Sequence, residues 1–123
     1  MILIVDDNNE VRRMIRNLVE DLDTEFCECN DGIQALSAYQ ENSPDWVLMD
    51  VQMKEMDGLT ATRQIKNSFP EAKVIILTNH SDAKTKQAAI DAGASGFVGK
   101  ENLIALREII IDENTISWFR KDK

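Results

Sequence analysis

Three aspartates, a threonine and a lysine carry the chemistry this sequence can do. Asp6 and Asp7 follow a short apolar run ending at Val5, and Asp50 follows another, Trp46 to Met49. Thr78 follows a third, Val74 to Leu77, and Lys100 lies just past a fourth, Ser95 to Val98. Carboxylates gathered in one place repel, which raises their pKa values and costs stability. A hard cation removes that cost. Oxygen donors select Mg²⁺ or Ca²⁺, and Mg²⁺ keeps waters and recruits phosphate oxygens. A lysine ammonium is a point charge suited to a phosphoryl oxygen, and a threonine hydroxyl donates to another. Metal, cation, hydroxyl and a carboxylate nucleophile are together the parts of phosphoryl transfer.

Each residue alone has an ordinary structural role. A lone Asp at a strand end is usually a turn or cap residue, and Asp6-Asp7 can cap the helix that follows. Thr78 alone can cap a helix, and Lys100 alone can be a solvated surface lysine. Joint placement separates the two possibilities. In open α/β sheets the ligand site lies beyond the carboxyl ends of the strands, and all five residues fall there.

The elements that must position them alternate along the chain. Ile2 to Val5 reads as a buried strand. Asn8 is the N-cap of a first helix whose inward face is Val11, Met14, Ile15, Leu18, Val19 and Leu22. Thr24 to Cys29 is a weaker strand, expected at an edge because Glu25 and Glu28 interrupt it. Asp31-Gly32 turns into a second helix carrying Ala35, Leu36 and Tyr39, ended by Ser43-Pro44. Gly58 opens a third helix with Leu59, Thr62 and Ile65 inward. Asp82 to Ala92 is an alanine-rich fourth helix stopped by Gly93; little core anchors it. Leu103, Leu106 and Ile110 mark the last helix, with Ile104 and Ile111 on a flank that is either open to a partner or, equally, packed inward as part of a broad buried stripe. Strands separated by helices are usually parallel with right-handed crossovers. The expected fold class is α/β, a single doubly wound five-stranded parallel sheet.

Composition narrows the function. The chain has 123 residues, 43% hydrophobic and 29% charged, which suits one globular domain. Its net charge of −8, without a long Lys/Arg run, argues against this domain gripping nucleic acid itself. Cys27 and Cys29, the two cysteines, share a strand face with Glu28 between them and lack the partners for a zinc site. They read as reduced thiols in a reducing cytoplasm. No apolar stretch reaches membrane-spanning length, and the N-terminal run lacks a charged region preceding it, so it is a strand rather than a signal peptide.

Val5-Asp6-Asp7, Leu48-Met49-Asp50, Met56-Asp57-Gly58, Leu77-Thr78 and the run Ala92 to Lys100 resemble the receiver domain of bacterial two-component response regulators. The similarity runs from Ile2 to about Ile111. The resemblance implies a flavodoxin-like sheet of strand order 2-1-3-4-5, with residues 1–112 as the receiver. Residues 113–123, with Ile116, Trp118 and Phe119, would be a tail, a terminal helix or the start of a linker to an output domain. It implies that Asp50 is the phosphoacceptor. Asp7 and Asp50 would ligate Mg²⁺ directly, Asp6 through water, and Gln52 through its backbone carbonyl. Thr78 and Lys100 would hold the phosphoryl group, and Thr78 and Phe97 would form the switch. Met56-Asp57-Gly58 would shape the loop into the third helix, Asp57 having no catalytic part.

The implied partners are a sensor histidine kinase or phosphotransfer protein, and a second copy through the face of helix 4, strand 5 and helix 5. The implied output is transcription regulation. Three features depart from the usual pattern. Glu101 follows Lys100 where many receivers have proline, as in some regulators with helix-turn-helix outputs. Asn79 is larger than the residue common after the threonine. Gln52 and His80 occupy positions that in the family flank the phosphoryl group and tune its hydrolysis, while His80 by itself reads as an exposed loop residue with no such role. Two other readings are a degenerate receiver acting as a binding module and a Mg²⁺-dependent aspartyl phosphatase. The second is disfavoured because no substrate-capping insertion is present. A flavin-binding domain is least favoured, because two acidic residues stand where a phosphate-cradling loop would be needed.

Overall fold

The computed structural model describes residues 1–23 and 25–121, with side chains described as far as 112. The order is β1 (Ile2–Val5), α1 (Asn9–Val19), β2 (Phe26–Cys29), a 3₁₀ turn (Gly32–Gln34), α2 (Ala35–Asn42), β3 (Trp46–Asp50), α3 (Gly58–Ser68), β4 (Val74–Thr78), α4 (Ala83–Asp91), β5 (Gly96–Gly99), a second 3₁₀ turn (Lys100–Asn102) and α5 (Ile104–Lys121). The strands form one parallel sheet in the order β2-β1-β3-β4-β5.

Successive strand residues point to opposite faces, and here both faces are covered. Leu3, Val5, Val47, Met49, Val74 and Ile76 pack with Ala35, Ala61, Ile65 and Ala89 from α2, α3 and α4. Ile2, Ile4, Trp46, Leu48, Ile75 and Leu77 pack with Ile15 and Val19 of α1 and Leu106 and Ile110 of α5. Burial on both sides explains why these strands read as continuous apolar runs rather than alternating ones.

The register sets up the site. Val5 pairs with Met49 in the β1–β3 ladder, so Asp6 and Asp50 are the next residues on neighbouring strands. Thr78 pairs with Gly99, so Lys100 emerges beside it. Asn8 caps α1 as expected, accepting from the N–H groups of Glu10 and Val11, whereas Asp82, read as the first residue of the fourth helix, is its N-cap and accepts from the N–H of Thr85. Helix α2 ends with Ser43 in the left-handed region, φ 46°, and Gly93 takes φ 95° after α4.

Four expectations shift. Met14 is 48% exposed rather than inward, because the stripe Val11, Ile15, Leu18 and Val19 already fills the sheet-facing side of α1. Helix α1 ends at Val19, so Leu22 reaches the core from a turn in which its N–H bonds the Val19 carbonyl. Strand β2 begins at Phe26, and the expected start at Thr24 lies outside the described residues. Strand β5 is Gly96–Gly99 rather than Ser95 to Val98. The weakly anchored α4 is as read, with only Ala89 buried along its length. Ile104 and Ile111 are 64% and 41% exposed. Helix α5 runs on to Lys121; the side chains of Ile116, Trp118 and Phe119 lie outside the described residues. Among the described residues, no helix is long and apolar enough to cross a membrane.

Candidate functional site

The carboxyl edge of the sheet opens into a cavity of about 440 Å³. Its walls include Asp6, Asp7, Asp50, Gln52, Thr78, Asn79 and Lys100. Asp6 and Asp50 are 1% and 6% exposed, while Asp7 stands open to solvent. Each of the three offers a carboxylate oxygen, and these oxygens lie within 4.8 Å of one another. Such a set of hard oxygens, two of them buried, fits a divalent cation better than it fits bare solvent.

Lys100 bridges the two buried carboxylates of the set. Its Nζ lies 3.0 Å from Asp6 Oδ2 and 2.9 Å from Asp50 Oδ1. Burial pushes the Lys100 ammonium down, but hydrogen bonds to Asp50 and Asp6 outweigh it and leave its pKa raised. Burial pushes the Asp50 carboxyl up, and the hydrogen bond from Lys100 opposes that while the charge of Asp6 adds to it. Asp50 ends raised because it shares one ammonium with a second carboxylate and does not recover its full desolvation cost. The other Asp6 oxygen, Oδ1, accepts from the Asn8 N–H at 2.9 Å.

Thr78 ends β4 with 2% exposure, its hydroxyl oxygen accepting from the His80 N–H at 2.9 Å. Asn79 is an exposed part of the cavity wall. The His80 ring is likewise at the exposed surface. Phe97, in β5, is half-buried against the core and also lines a smaller cavity of about 190 Å³ beside Ile90. It therefore sits apart from the acidic pocket. Glu101 accepts from the Ser81 hydroxyl at 2.6 Å, linking the 3₁₀ turn that holds Lys100 to the loop that follows Thr78. Cys27 and Cys29 are free thiols, and burial pushes that of Cys29 up to about 11.

Three residues support the site through contacts that sequence reasoning did not reveal. Arg12 Nη1 donates to the Asp6 carbonyl at 2.6 Å, fixing the backbone where β1 delivers its acids. Gly58 packs onto the end of β3: an added Cβ would lie 1.8 Å from the Asp50 carbonyl oxygen. Asp31, 7% exposed, accepts from three backbone N–H groups, those of Ile33, Glu55 and Met56. An arginine one turn into a helix and an Asp-Gly pair were visible in the sequence. Their partners, distant in sequence or on the backbone, were not.

Across the known families, the description that fits is the response regulator receiver domain, which matches residues 2–111. The chain belongs to the receiver family. This receiver is 42% identical over 100 residues to the chemotaxis protein CheY of Listeria monocytogenes, covering 80% of this chain and 84% of that one. It superposes on a LuxR-family two-component response regulator from Aurantimonas sp. with a TM-score of 0.79 and 33% identity, over 90% of this chain and 84% of that one. It also superposes on the CheX–CheY–BeF₃–Mg²⁺ complex from Borrelia burgdorferi, with a TM-score of 0.76 and 25% identity, over 80% and 76% of the two chains. The receiver fold is thus common to relatives from chemotaxis and from transcriptional regulation.

Proposed function

We propose that this receiver is a phosphorylation switch in which Asp50 accepts a phosphoryl group from a histidine kinase or phosphotransfer protein. The observation that carries this is the Lys100 ammonium, held 3.0 Å and 2.9 Å from two buried carboxylates at the floor of an open acidic cavity. A cation placed there neutralises a substrate-derived anion as readily as it neutralises Asp50.

Asp7 and Asp50 would hold Mg²⁺ directly and Asp6 through water, and the Gln52 backbone carbonyl would complete the protein's share. When bound, Mg²⁺ screens the negative charge of the phosphoryl oxygens and of the attacking carboxylate. The rest falls to the chain's own groups. An Asp50 oxygen attacks phosphorus, the bond from phosphorus to the donor's imidazole nitrogen breaks, and the imidazole departs to take a proton from water. Lys100 moves its charge from the Asp50 carboxylate to a phosphoryl oxygen. The Thr78 hydroxyl, now occupied by the His80 N–H, turns to another. The products are an acyl phosphate and a free histidine. Water later attacks the same phosphorus and returns the carboxylate, with Gln52 and His80 flanking its approach. The chemistry is performed on the protein itself, which is therefore no turnover enzyme.

The change spreads because α4 is weakly anchored and follows the short loop that leaves Thr78 at the end of β4. Movement of Thr78 opens room for Phe97 to turn inward, and the surface of α4, β5 and α5 changes shape. That surface, with Ile90 54% exposed beside the cavity lined by Phe97, is the proposed face for output or self-association. The proposed output is control of transcription by a separate domain or partner, and the proposed location is the cytoplasm. Residues 1–112 are proposed as the receiver, with 113–123 as a C-terminal tail, a terminal helix or the start of a linker.

Fluorine NMR with beryllofluoride, a phosphoryl mimic, tests the site. Bound-fluoride signals are expected in the wild type with Mg²⁺. They should vanish without Mg²⁺ and in Asp50→Asn; signals that persist in that variant would place the anion elsewhere.

A further inference from the structure

The seven residues from Val51 to Asp57 form the loop between β3 and α3 and have no regular secondary structure. Such a segment must find partners for its backbone groups outside the sheet and the helices. It also supplies Gln52 and Lys54 to the wall of the acidic cavity. Its far end is anchored by Gly58, whose N–H bonds the Val51 carbonyl at 2.8 Å. Its middle is held from another part of the chain.

That holder is Asp31. One carboxylate accepts from the Glu55 N–H at 2.9 Å, the Met56 N–H at 3.1 Å and the Ile33 N–H at 3.0 Å. Only the last is a local cap of the 3₁₀ turn. The other two reach 24 and 25 residues along the chain. The neighbouring Gly32 lets the loop lie close, since an added Cβ would stand 2.6 Å from the Met56 carbonyl oxygen. Burial pushes the Asp31 carboxyl up, but the N–H groups of Glu55, Ile33 and Met56 more than reverse it. The charged form is the one that fits.

We infer that Asp31 is a positioning residue for the metal site: it clamps the β3–α3 loop so that the Gln52 carbonyl faces the Asp6–Asp7–Asp50 carboxylates. This rests on the proposed function, since it assigns the loop a ligand for Mg²⁺. Groups that orient metal ligands from behind are typically worth about 10- to 100-fold in metal affinity. A purely local cap carries no such effect.

Two variants separate the roles. Asp31→Asn removes the charge and turns an amide donor towards backbone donors. Asp31→Ser keeps a short cap for the 3₁₀ turn but cannot reach Glu55 and Met56. Mg²⁺ affinity is measured by calorimetry, and backbone amide exchange is followed over residues 52–57. Arg107→Gln, which loosens α5 from Asp21 and Leu18 on the other side of the sheet, controls for lost stability. Both Asp31 variants should bind Mg²⁺ about tenfold more weakly and exchange faster in the loop. Arg107→Gln should do neither. Asp31→Ser that is folded and binds Mg²⁺ within twofold of wild type overturns the inference. If the wild type takes up no Mg²⁺, the proposed function fails first. Unchanged loop exchange in Asp31→Ser would then refute the clamp as well.

Discussion

Gly58→Ala adds one methyl group at the most crowded point behind the site. Its Cβ would stand 1.8 Å from the Asp50 carbonyl oxygen, 2.8 Å from the carbonyl carbon and 2.9 Å from Met49 Cγ. Comfortable carbon contacts begin near about 3.5 Å, so backbone must move by more than an ångström. Overpacking of a buried site costs roughly 1–3 kcal/mol. The upper end applies here, because two of the three obstructing atoms are main-chain atoms of a central strand. In a domain of this size each kcal/mol lowers the melting temperature by roughly 3–5 °C, giving a fall of about 10 °C. A total stability of roughly 5–15 kcal/mol leaves the variant folded at room temperature. Gly96→Ala is the matched control. Its Cβ would meet Ile109 Cδ1 and Ile75 Cγ1 at 3.4 Å, an ordinary contact, and alanine loses less backbone entropy than glycine on folding. Its melting temperature should hold or rise. Thermal unfolding by circular dichroism decides. Equal melting temperatures for the two variants would refute the assignment of Gly58 as the residue that lets α3 start against Asp50.

Removing the shared cation has a comparable effect. Lys100→Met leaves two buried carboxylates uncompensated, a loss of about 3 kcal/mol by analogy with broken buried pairs. Urea unfolding without Mg²⁺ measures it, and added Mg²⁺ should restore part of the loss by binding the folded state; an unchanged midpoint would contradict the role given to Lys100. Acid sensitivity tests Asp31. Its folded pKa is depressed, so its stabilisation is present above the ordinary carboxylate value and is lost as pH falls through the lower folded one. Urea midpoints from pH 6 to pH 3 should therefore fall less steeply for Asp31→Asn than for wild type, and parallel profiles would count against the three backbone hydrogen bonds.

Elements and site residues were legible in the sequence to different degrees. The strands were plain because burial on both faces leaves apolar runs that stop abruptly at Asp6, Asp50 and Thr78. The meeting of those residues with Lys100 followed from alternation alone, since parallel strands deliver their carboxyl ends to one edge. Strand order did not follow from alternation. Met14 fitted the helical period but lies at the margin of a stripe that four neighbours already fill. Asp31 looked like half of an Asp-Gly turn, and its local partner Ile33 satisfies that view. Nothing local announces Glu55 and Met56, because a backbone donor leaves no mark on residue type. Arg12 was hidden for the same reason, its partner being the main-chain carbonyl of Asp6.

The most direct measurement is the intact mass of the protein after incubation with acetyl phosphate, with and without Mg²⁺, beside Asp50→Asn. One phosphoryl group is expected on the wild type, only with Mg²⁺, and none on the variant. A folded wild type that gains no phosphoryl group, or an Asp50→Asn variant that gains the same one, would contradict Asp50 as the acceptor.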